Sequence, residues 1–301
     1  MSDLVSIIVT TKNEVRHLDN CLRSIEAQTY PNIELIVIDN NSTDHTKTIA
    51  LGYTSQVFNQ GPERSAQRNL GMMVVAQGTY VVYFDADMIL TPNLIENCVK
   101  QMKSDNIEAL YIPEQILGRS LFSTVRRFER QFYNATSIDA ARFFKRKSFI
   151  QSGGFDEALF KFGSGEDWDL DKKIRLKGKI ELLNVRKPSK SYDNWVYEFS
   201  ELHGVSISRS WEGVLHNESD VTLVSYVKKK RYYAGGFVGY INKWGRFDPD
   251  IRNQFGLYYR FFKVFFEKGK WRIVTRHPFL FLLTITLKAI VGIFTYRIWN
   301  E

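Results

Sequence analysis

The chain has 301 residues, of which 44% are apolar and 25% are charged, and its net charge is +8. The length allows one large domain or two small ones, and the apolar fraction excludes an intrinsically disordered protein. Two cysteines, Cys21 and Cys98, exclude a disulfide scaffold and are typical of a reducing compartment, and we predict no signal peptide at the N-terminus.

Strand and helix patterns alternate from the N-terminus onward. Short β-branched apolar runs at 4–10 and 33–38 predict two buried strands, with an amphipathic helix between them around 18–25. The pattern continues with a helix through 51, a weak strand at 56–59, a helix over 63–76, an apolar strand at 79–84, a helix beginning near Pro92 and a strand at 108–112. This order indicates a doubly wound α/β sheet, in which ligands bind beyond the carboxyl ends of the strands.

Polar and acidic residues follow three of these predicted strands. They are Thr10, Thr11, Asn13 and Glu14 after the first, Asp39, Asn40 and Asn41 after the second, and Asp85 and Asp87 after the fourth. Any one of them taken alone is better explained as a helix cap or turn residue. Because the three groups fall on one edge of the predicted sheet, together they indicate a shared polar crevice.

These residues, in this order, resemble the family 2 glycosyltransferases of the GT-A fold. The resemblance covers roughly residues 4–220 and is carried by VSIIVTTKNE at 5–14, ELIVIDNNSTD at 34–44, GPERSAQRNLG at 61–71, YVVYFDADMIL at 80–90, GGFDE at 153–157 and GEDWDL at 165–170. It implies a nucleotide-sugar-binding and catalytic domain over residues 1–225, with a Rossmann-like, mostly parallel sheet flanked by helices.

Asp85 and Asp87 match the family's D-x-D motif, and the resemblance implies that they bind Mg²⁺ or Mn²⁺ and the donor diphosphate. Residues two apart in an extended segment project to the same side, so both carboxylates can face one cation. The metal would neutralise charge on the leaving nucleoside diphosphate. If the resemblance is set aside, a short acidic turn explains Asp85 and Asp87 equally well. His216 matches a histidine that reaches the metal or diphosphate, and its alternative is a structural role.

Other matched residues are implied to contact the nucleotide. Asp39 would accept a hydrogen bond from the base, typically the uracil N–H, which favours a UDP-sugar as donor. The segment that lines the base and ribose is matched by Thr10, Asn13 and Glu14. In this segment Thr10 and Lys12 replace the proline and tyrosine of the commoner P-x-Y-N-E pattern. Arg68 matches an arginine near the ribose and diphosphate, where a guanidinium makes paired charged hydrogen bonds, and its alternative is a solvated helix face.

On the acceptor side, Glu166-Asp167 at the start of a predicted helix matches the family's ED motif. The resemblance implies that Asp167 is the general base, which takes a proton from an acceptor hydroxyl during an inverting displacement. The alternative is a set of first-turn acids favoured by the helix dipole. Glu166 and Trp168 are candidate acceptor contacts, although Trp168 is nearly as typical of a core residue. Arg142 is a candidate phosphate clamp or an ordinary surface arginine.

The C-terminal quarter differs from the rest in charge and composition. Residues 228–301 contain 15 Lys and Arg against 4 Asp and Glu, and nearly half of the aromatic residues. Basic side chains combined with aromatic rings are typical of protein segments that bind an anionic membrane surface. Nucleic acid is therefore the weaker interpretation of the partner of this region. We therefore predict that residues 226–301 form amphipathic and hydrophobic helices that associate with the membrane.

An apolar run at 278–294 is interrupted by Lys288. A spanning helix needs about 20 largely apolar residues, and a central lysine costs roughly 2.5–3.5 kcal/mol on insertion. We predict peripheral helices in the cytoplasmic leaflet of the cell membrane. The alternatives are one transmembrane hairpin or span within 278–299, and a soluble helical cap or dimer interface.

These observations support an inverting, metal-dependent hexosyl- or N-acetylhexosaminyl-transferase that acts on a hydroxyl of a lipid-linked saccharide. A polyprenyl monophosphate is already an anionic nucleophile, so the presence of Asp167 favours extension of a lipid-linked glycan. The alternatives are a polyprenyl-phosphate glycosyltransferase and a non-catalytic, membrane-bound nucleotide-sugar-binding protein. A nicotinamide dehydrogenase is disfavoured because no G-x-G-x-x-G follows the first strand.

Overall fold

Strands and helices alternate through the computed structural model, which describes residues 2–104, 106–159, 164–184 and 194–295. The strands in the described residues are β1 (Val5–Thr11), β2 (Ile33–Asp39), β3 (Val57–Asn59), β4 (Tyr80–Asp85), β5 (Met88–Leu90), β6 (Ile107–Tyr111), β7 (Glu114–Leu117), β8 (Ala141–Lys145), β9 (Lys179–Leu182) and β10 (Val214–Asn217).

The central sheet has the strand order β3-β2-β1-β4-β8-β6-β9. Strands β3, β2, β1 and β4 are parallel, β8 runs antiparallel to both of its neighbours, and β6 and β9 are parallel. A smaller sheet of β5, β10 and β7 lies beyond the end of β4. The prediction of an α/β fold with a mostly parallel sheet, as in GT-A proteins, is therefore confirmed.

Helices connect and cover these strands. They are α1 (Leu18–Glu26), α2 (Thr46–Leu51), α3 (Arg64–Asn69, continued by a π-helical turn at Leu70–Val75), α4 (Leu94–Met102), α5 (Leu121–Arg130), α6 (Arg146–Gln151), α7 (Glu166–Arg175) and α8 (Trp195–Leu202). The C-terminal set is α9 (Leu223–Ala234), α10 (Phe237–Trp244), α11 (Pro249–Phe255), a π-helical turn at Tyr259–Lys263, α12 (Val264–Phe266), a 3₁₀ turn at Glu267–Gly269, α13 (Trp271–Arg276) and α14 (Pro278–Thr295).

Hydrophobic cores lie on both faces of the central sheet, as its alternating side chains require. On one face, α1 buries Leu18, Cys21, Leu22 and Ile25, which recur with helical spacing, against β1 and β4. On the other face, Met72, Phe149 and Leu170 pack against β1, β4 and β8. The sheet is thus packed on both faces, and its parallel strands end at one common edge.

The C-terminal helices share hydrophobic cores with the preceding part of the chain. Phe128 and Phe132 of the α5 region pack with Tyr259 and Phe265, and Trp168 of α7 packs with Tyr240. The boundary predicted after residue 225 falls inside α9, and the division into two domains stays a prediction. Residues 296–301 of the predicted membrane-associating region lie outside the described residues.

Lys288, which interrupts the apolar run in the sequence, points into the protein. Its Nζ donates to the hydroxyl of Tyr133 at 2.5 Å and lies 3.1 Å from Glu129 Oε1. The inward face of α14 also buries Thr284 and Leu287. Among the described residues, no helix has both the length and the apolar character needed to cross a membrane.

Candidate active site

The carboxyl ends of β1, β2 and β4 bring the predicted polar residues together. In the strand register, Thr11 is paired with Asp39 and Thr10 is paired with Asp85. Asp39 is fully buried and Thr10 is almost so, whereas Asp85 is partly exposed. The three groups predicted to share a crevice therefore lie at one edge of the sheet.

Two loops at this edge are joined by hydrogen bonds. The Ser42 backbone N–H and hydroxyl donate to the two carboxylate oxygens of Asp39, at 2.7 and 2.5 Å. Asn13 adopts a positive φ of 54° and accepts a bond from the Thr43 backbone N–H at 2.8 Å. These contacts hold the β1–α1 and β2–α2 loops in one arrangement, in which Asp39 has no charged partner among the described residues.

Arg68 links the D-x-D segment to the ED motif. Its Nη2 lies 3.1 Å from Asp85 Oδ1, and its Nη1 lies 3.2 Å from Asp167 Oδ1. The guanidinium is only 2% exposed and stacks on the Tyr83 ring at 4.1 Å. The alternative of a solvated helix face is therefore wrong. Burial opposes ionisation of Asp85, but the charges of Arg68 and Arg142 bring its pKa well below the usual range.

The two acids of the ED motif have different surroundings. Asp167 is partly exposed, and its Oδ1 accepts hydrogen bonds from Arg68 and from the Tyr83 hydroxyl at 2.9 Å. Its Oδ2 has no partner in the described part of the chain. Glu166 is buried and accepts from Arg64, whose Nε and Nη2 lie 3.0 and 2.8 Å from Oε1. Asp167 can thus accept a proton, whereas Glu166 anchors the start of α7.

His216 joins Asp87 to the second sheet. Its Nε2 lies 3.2 Å from Asp87 Oδ2, and its Nδ1 lies 3.0 Å from Glu114 Oε1. Burial disfavours the charged imidazole, yet Asp87 and Glu114 raise the pKa of His216 well above its usual value. The two carboxylate neighbours thus favour the protonated ring, which supports Asp87.

The donor set at Asp87 fits a divalent cation that also binds phosphate. Asp87 Oδ1 is buried and has no hydrogen-bond partner within the described residues. Burial, followed by the charges of Asp87 and Asp85, raises the pKa of Glu14 to about 7, so negative charge is in excess here. No three His, Cys, Asp or Glu side chains of the described chain form a complete metal site. Mg²⁺ commonly takes one or two carboxylates together with substrate phosphates, which such a half-site suits.

Arg142 lies beside the same acids. Its Nη2 donates to Glu114 Oε2 at 3.5 Å, and its Nη1 lies 3.9 Å from Asp85 Oδ2. Nη1 is buried and makes no hydrogen bond to any described residue. A buried guanidinium donor without a partner suits an oxyanion, so the surface alternative for Arg142 is wrong.

Comparison with known proteins identifies the family. Residues 6–155 match the family model for Glycosyl transferase family 2. The chain belongs to this family. The matched segment contains β1 to β4 and the D-x-D residues Asp85 and Asp87, but ends before the ED motif.

Relatives within the glycosyltransferases align with part of this chain. It is 32% identical over 117 residues to glycosyltransferase GlyG of Streptococcus pneumoniae, covering 36% of this chain and 38% of GlyG. It is 27% identical over 121 residues to WfgD of Escherichia coli, a UDP-Glc:alpha-D-GlcNAc-diphosphoundecaprenol beta-1,3-glucosyltransferase, covering 39% of this chain and 48% of WfgD. The chain therefore aligns with less than half the length of these two relatives.

A solved structure resembles this chain over most of its length. The mannosyltransferase PcManGT of Pyrobaculum calidifontis, solved with GDP-Man and Mn²⁺, superposes with a TM-score of 0.55 at 18% identity. The superposition covers 99% of this chain and 83% of PcManGT. At this identity the likeness concerns the fold.

Trp168 makes the contacts of a packing residue. Its ring stacks on Phe237 with centroids 5.4 Å apart and planes inclined by 16°. Its indole N–H donates to the Ile138 carbonyl at 3.1 Å, and Phe255 contacts it edge-on. The core alternative therefore describes Trp168 better than stacking on an acceptor sugar, because one ring face is already covered. Glu166, turned toward Arg64, is likewise used inside the protein.

Three side chains at the site were missed by sequence reasoning. Tyr83 lies two residues before Asp85 on β4, and that spacing already places both on one face of the strand. Arg64 lies four residues before Arg68, which is one helical turn. Glu114 had no such local signal, because it reaches His216 and Arg142 only through the packing of β7 on β10.

Proposed function

We propose that this family 2 protein is an inverting glycosyltransferase that moves a sugar from a UDP-sugar to a hydroxyl of a lipid-linked saccharide. The observation that carries the proposal is the bridge made by Arg68 between Asp85 and Asp167. One buried guanidinium holds a donor-side acid and a candidate base in the same crevice. A protein that only bound the nucleotide would not need a base beside the donor.

Asp167 would act as the general base. Arg68 and Tyr83 hold Oδ1, which leaves Oδ2 to accept the proton of the acceptor hydroxyl. The acceptor oxygen then bonds to the anomeric carbon as the bond from that carbon to the diphosphate oxygen breaks. Attack from the face opposite the diphosphate inverts the configuration at the anomeric carbon.

The donor would bind along the carboxyl ends of β1, β2 and β4. Asp39 would accept from the base, while Thr10, Asn13 and Glu14 would line the base and ribose. Arg142 would donate its unpartnered Nη1 to a phosphate oxygen. The UDP-sugar assignment is supported by Asp39 and by the UDP-Glc named for WfgD, with which the aligned segments share 27% identity.

Asp87 and Asp85 would hold Mg²⁺ or Mn²⁺ at the diphosphate. When bound, the cation supplies positive charge that offsets the charge of the leaving group. His216 keeps Asp87 oriented toward this position through the bond to Oδ2, which leaves Oδ1 available.

A membrane location is supported by the surface of the C-terminal helices. Exposed apolar side chains on this surface include Phe247, Leu257, Tyr258, Phe262, Phe266, Trp271, Phe279, Leu282 and Ile293. Exposed cations accompany them at Lys263, Lys268, Arg272 and Arg276. This combination suits peripheral binding to the anionic cytoplasmic leaflet. WfgD is named for a diphosphoundecaprenol-linked acceptor, in keeping with such a location.

The proposal is tested by transfer from UDP-sugars to synthetic lipid carriers in the presence of Mn²⁺. We expect transfer to a saccharide on a lipid diphosphate and inversion of the anomeric centre, measured by NMR of the product. Asp167→Asn should lower transfer at least about 1,000-fold, since the base is lost, while UDP still raises the melting temperature.

The matched control is Glu201→Gln, which removes a charge from an exposed position of α8. It should transfer at the wild-type rate. Full activity of Asp167→Asn on a bare polyprenyl monophosphate would instead assign the chain to the polyprenyl-phosphate transferases. Binding of UDP with neither hydrolysis nor transfer of any sugar would overturn the enzymatic proposal.

A further inference from the structure

One buried carboxylate, Glu114, lies between three basic side chains at the candidate active site. Its Oε1 lies 3.0 Å from His216 Nδ1. Its Oε2 lies 3.5 Å from Arg142 Nη2 and 3.6 Å from Arg130 Nη2. Arg130 has a second carboxylate partner, Asp139 at 2.9 Å, and therefore does not depend on Glu114 alone. The contacts that call for an explanation are those with His216 and Arg142, which both face the acids of the D-x-D segment.

The small sheet places Glu114 beside His216. Glu114 begins β7, and in the parallel register of β7 and β10 it is paired with Val214, two residues before His216. Residues two apart on a strand lie on the same face, so Glu114 and His216 are diagonal neighbours. The two backbones are in close contact here, because the Val214 N–H donates to the Pro113 carbonyl at 2.9 Å. A Cβ on Gly213 would lie 2.2 Å from the same oxygen. The packing of β7 on β10 thus fixes the position from which the Glu114 side chain extends.

The same small sheet carries the end of the D-x-D segment. His216 of β10 is paired with Met88 of β5, the residue that follows Asp87. The Asn217 N–H donates to the Asp87 carbonyl at 2.9 Å. The His216 ring therefore lies between two carboxylates, with Nε2 3.2 Å from Asp87 Oδ2 and Nδ1 3.0 Å from Glu114 Oε1. Because the ring is held at both nitrogens, Glu114 sets the direction in which Nε2 points.

The other oxygen of Glu114 holds Arg142, which comes from β8 of the central sheet. While Nη2 of Arg142 contacts Glu114, Nη1 lies 3.9 Å from Asp85 Oδ2 and makes no hydrogen bond within the described residues. The guanidinium also lies 5.3 Å from the centre of the Tyr83 ring. Because a guanidinium is planar, holding Nη2 and one face of the group also sets the direction of Nη1. Glu114 thus orients the unpartnered donor of Arg142 as well as the ring of His216.

We propose that Glu114 is a positioning residue of the donor site, which orients His216 with one carboxylate oxygen and Arg142 with the other. The inference rests on the proposed function and deepens it, since it names the side chain that couples the cation end of the site to its phosphate end. Glu114 itself would touch neither the cation nor the nucleotide. It would act through His216, which orients Asp87, and through Arg142 Nη1, which is available to a phosphate oxygen.

The test measures binding of UDP to the full chain by calorimetry at a series of Mn²⁺ concentrations. Glu114→Gln keeps the size of the side chain but places an amide NH₂ group against one of the two donors that Glu114 holds. We expect it to weaken UDP binding about 10–30-fold and to raise the half-saturating Mn²⁺ concentration about 10-fold. Glu114→Asp keeps the charge but is shorter by one methylene, and should weaken UDP binding about 3–10-fold. Wild-type binding of UDP and Mn²⁺ by both variants would overturn the inference.

The matched control is Asp139→Asn. Asp139 is likewise buried and pairs with Arg130, but no hydrogen bond or ion pair joins it to His216 or Arg142 in the described structure. Like Glu114→Gln, the control should lower the melting temperature, because each variant leaves Arg130 with one carboxylate partner. It should nevertheless bind UDP within about twofold of wild type. Equal weakening of UDP binding by the two variants would give Glu114 a purely structural role and contradict the inference.

A double-mutant cycle shows through which residues Glu114 acts. If Glu114 works by orienting His216 and Arg142, its replacement has little left to disturb in the variant His216→Gln/Arg142→Gln. Adding Glu114→Gln to that variant should weaken UDP binding by less than about threefold. The full effect of Glu114→Gln in this background would mean that Glu114 acts through neither residue, and the inference would fail.

The enzymatic readout separates this inference from the proposed function. Glu114→Gln should raise the KM for the UDP-sugar about 10-fold and leave the KM for the lipid-linked acceptor within about twofold of wild type. An equal rise of both KM values would indicate a general distortion of the crevice, and would overturn the inference while the transferase proposal stands. If wild-type protein binds UDP with Mn²⁺ but transfers no sugar, the proposed function fails, and the binding constants alone decide the role of Glu114.

Discussion

Two groups of buried charges in this protein differ in how completely they are paired. Glu129 lies on α5 and pairs with Lys288 of α14, and both of its carboxylate oxygens have partners. One oxygen accepts from Arg126 at 2.6 Å, and the other accepts from the Tyr133 hydroxyl and lies near Lys288. At the carboxyl edge of the sheet, Asp87 Oδ1 and Arg142 Nη1 are buried without hydrogen-bond partners in the described structure.

Pairing thus separates the charges that stabilise this fold from the charges that are available to a ligand. A carboxylate with both oxygens satisfied, such as Glu129, stabilises the packing of helices and offers no acceptor to a ligand. Buried polar atoms without partners cost stability and persist where a ligand completes them. Substitutions in the two groups should therefore have opposite effects on stability and activity.

The largest effect is expected for Asp87→Asn. Losing the negative charge weakens the site proposed to hold the cation, so Mn²⁺-stimulated transfer should fall at least about 1,000-fold. The melting temperature should fall only slightly, because the amide oxygen can still accept from His216 Nε2 and Glu114 remains as the other carboxylate partner of the ring. A Mn²⁺ titration of the transfer rate checks this, and a normal response to Mn²⁺ would remove Asp87 from the metal site.

The opposite result is expected at the paired cluster. Glu129→Leu leaves Lys288 and part of Arg126 uncompensated and should lower the free energy of unfolding by about 3–5 kcal/mol. Urea denaturation measures this loss. Hydrolysis of the UDP-sugar by the folded fraction should stay within about twofold of wild type.

The double variant Glu129→Leu/Lys288→Leu sharpens this test. It removes both buried charges and should recover part of the stability lost in the single variant. Strictly additive losses would show that Glu129 and Lys288 contribute independently.

A smaller effect is expected for Tyr83→Phe. The variant removes the hydroxyl that helps to hold Asp167 Oδ1 at 2.9 Å, so kcat should fall about 5–10-fold with an unchanged KM for the donor. Tyr80→Phe on the same strand is the matched control and should behave as wild type. Equal kinetics of the two variants would mean that Asp167 does not need Tyr83.

The smallest effect is a pH dependence of stability at Glu14. Its pKa in the folded protein is about 7, above the unfolded value of 4.5, so the folded form binds more protons between these pH values. Stability should therefore fall as pH rises from about 5 to 7. In metal-free buffer the Glu14→Gln variant should not lose this stability, so its melting temperature should fall on the order of 2–4 °C less than that of wild type over this pH range. Solvent screens part of the effect, because Glu14 is partly exposed. The exposed Glu26→Gln should follow wild type throughout.

Strands of the first half were predictable because their signals are local. Runs of β-branched residues and the helical spacing of Leu18, Cys21 and Leu22 placed β1, α1 and β2 within a few residues of their observed bounds. The antiparallel insertion of β8 and the small sheet of β5, β10 and β7 were not predicted. Some of their pairings join residues more than 120 positions apart, as His216 with Met88, and the sequence of a short strand does not indicate its partner.

The candidate site shows the same division. Asp39, Asp85 and Asp87 could be placed at one edge because they end parallel strands, and chain order then makes them neighbours. Arg68, Arg142 and His216 were named as candidate site residues from the family resemblance. Which acid each of them contacts could not be predicted, because they reach these acids across elements distant in sequence. Trp168 was uncertain for the same reason, since the rings that cover it come from α10 and α11.

Local patterns in the amino-acid sequence are enough to predict the alternation of strands and helices, the edge on which the acids collect, and the basic, aromatic character of the C-terminal helices. Which charges are paired depends on the fold of the whole chain. It turned Lys288 inward onto Glu129 and set Arg68 between two acids. The physical reason is range: backbone propensity acts over a few residues, whereas ion pairing depends on side chains that only packing brings together.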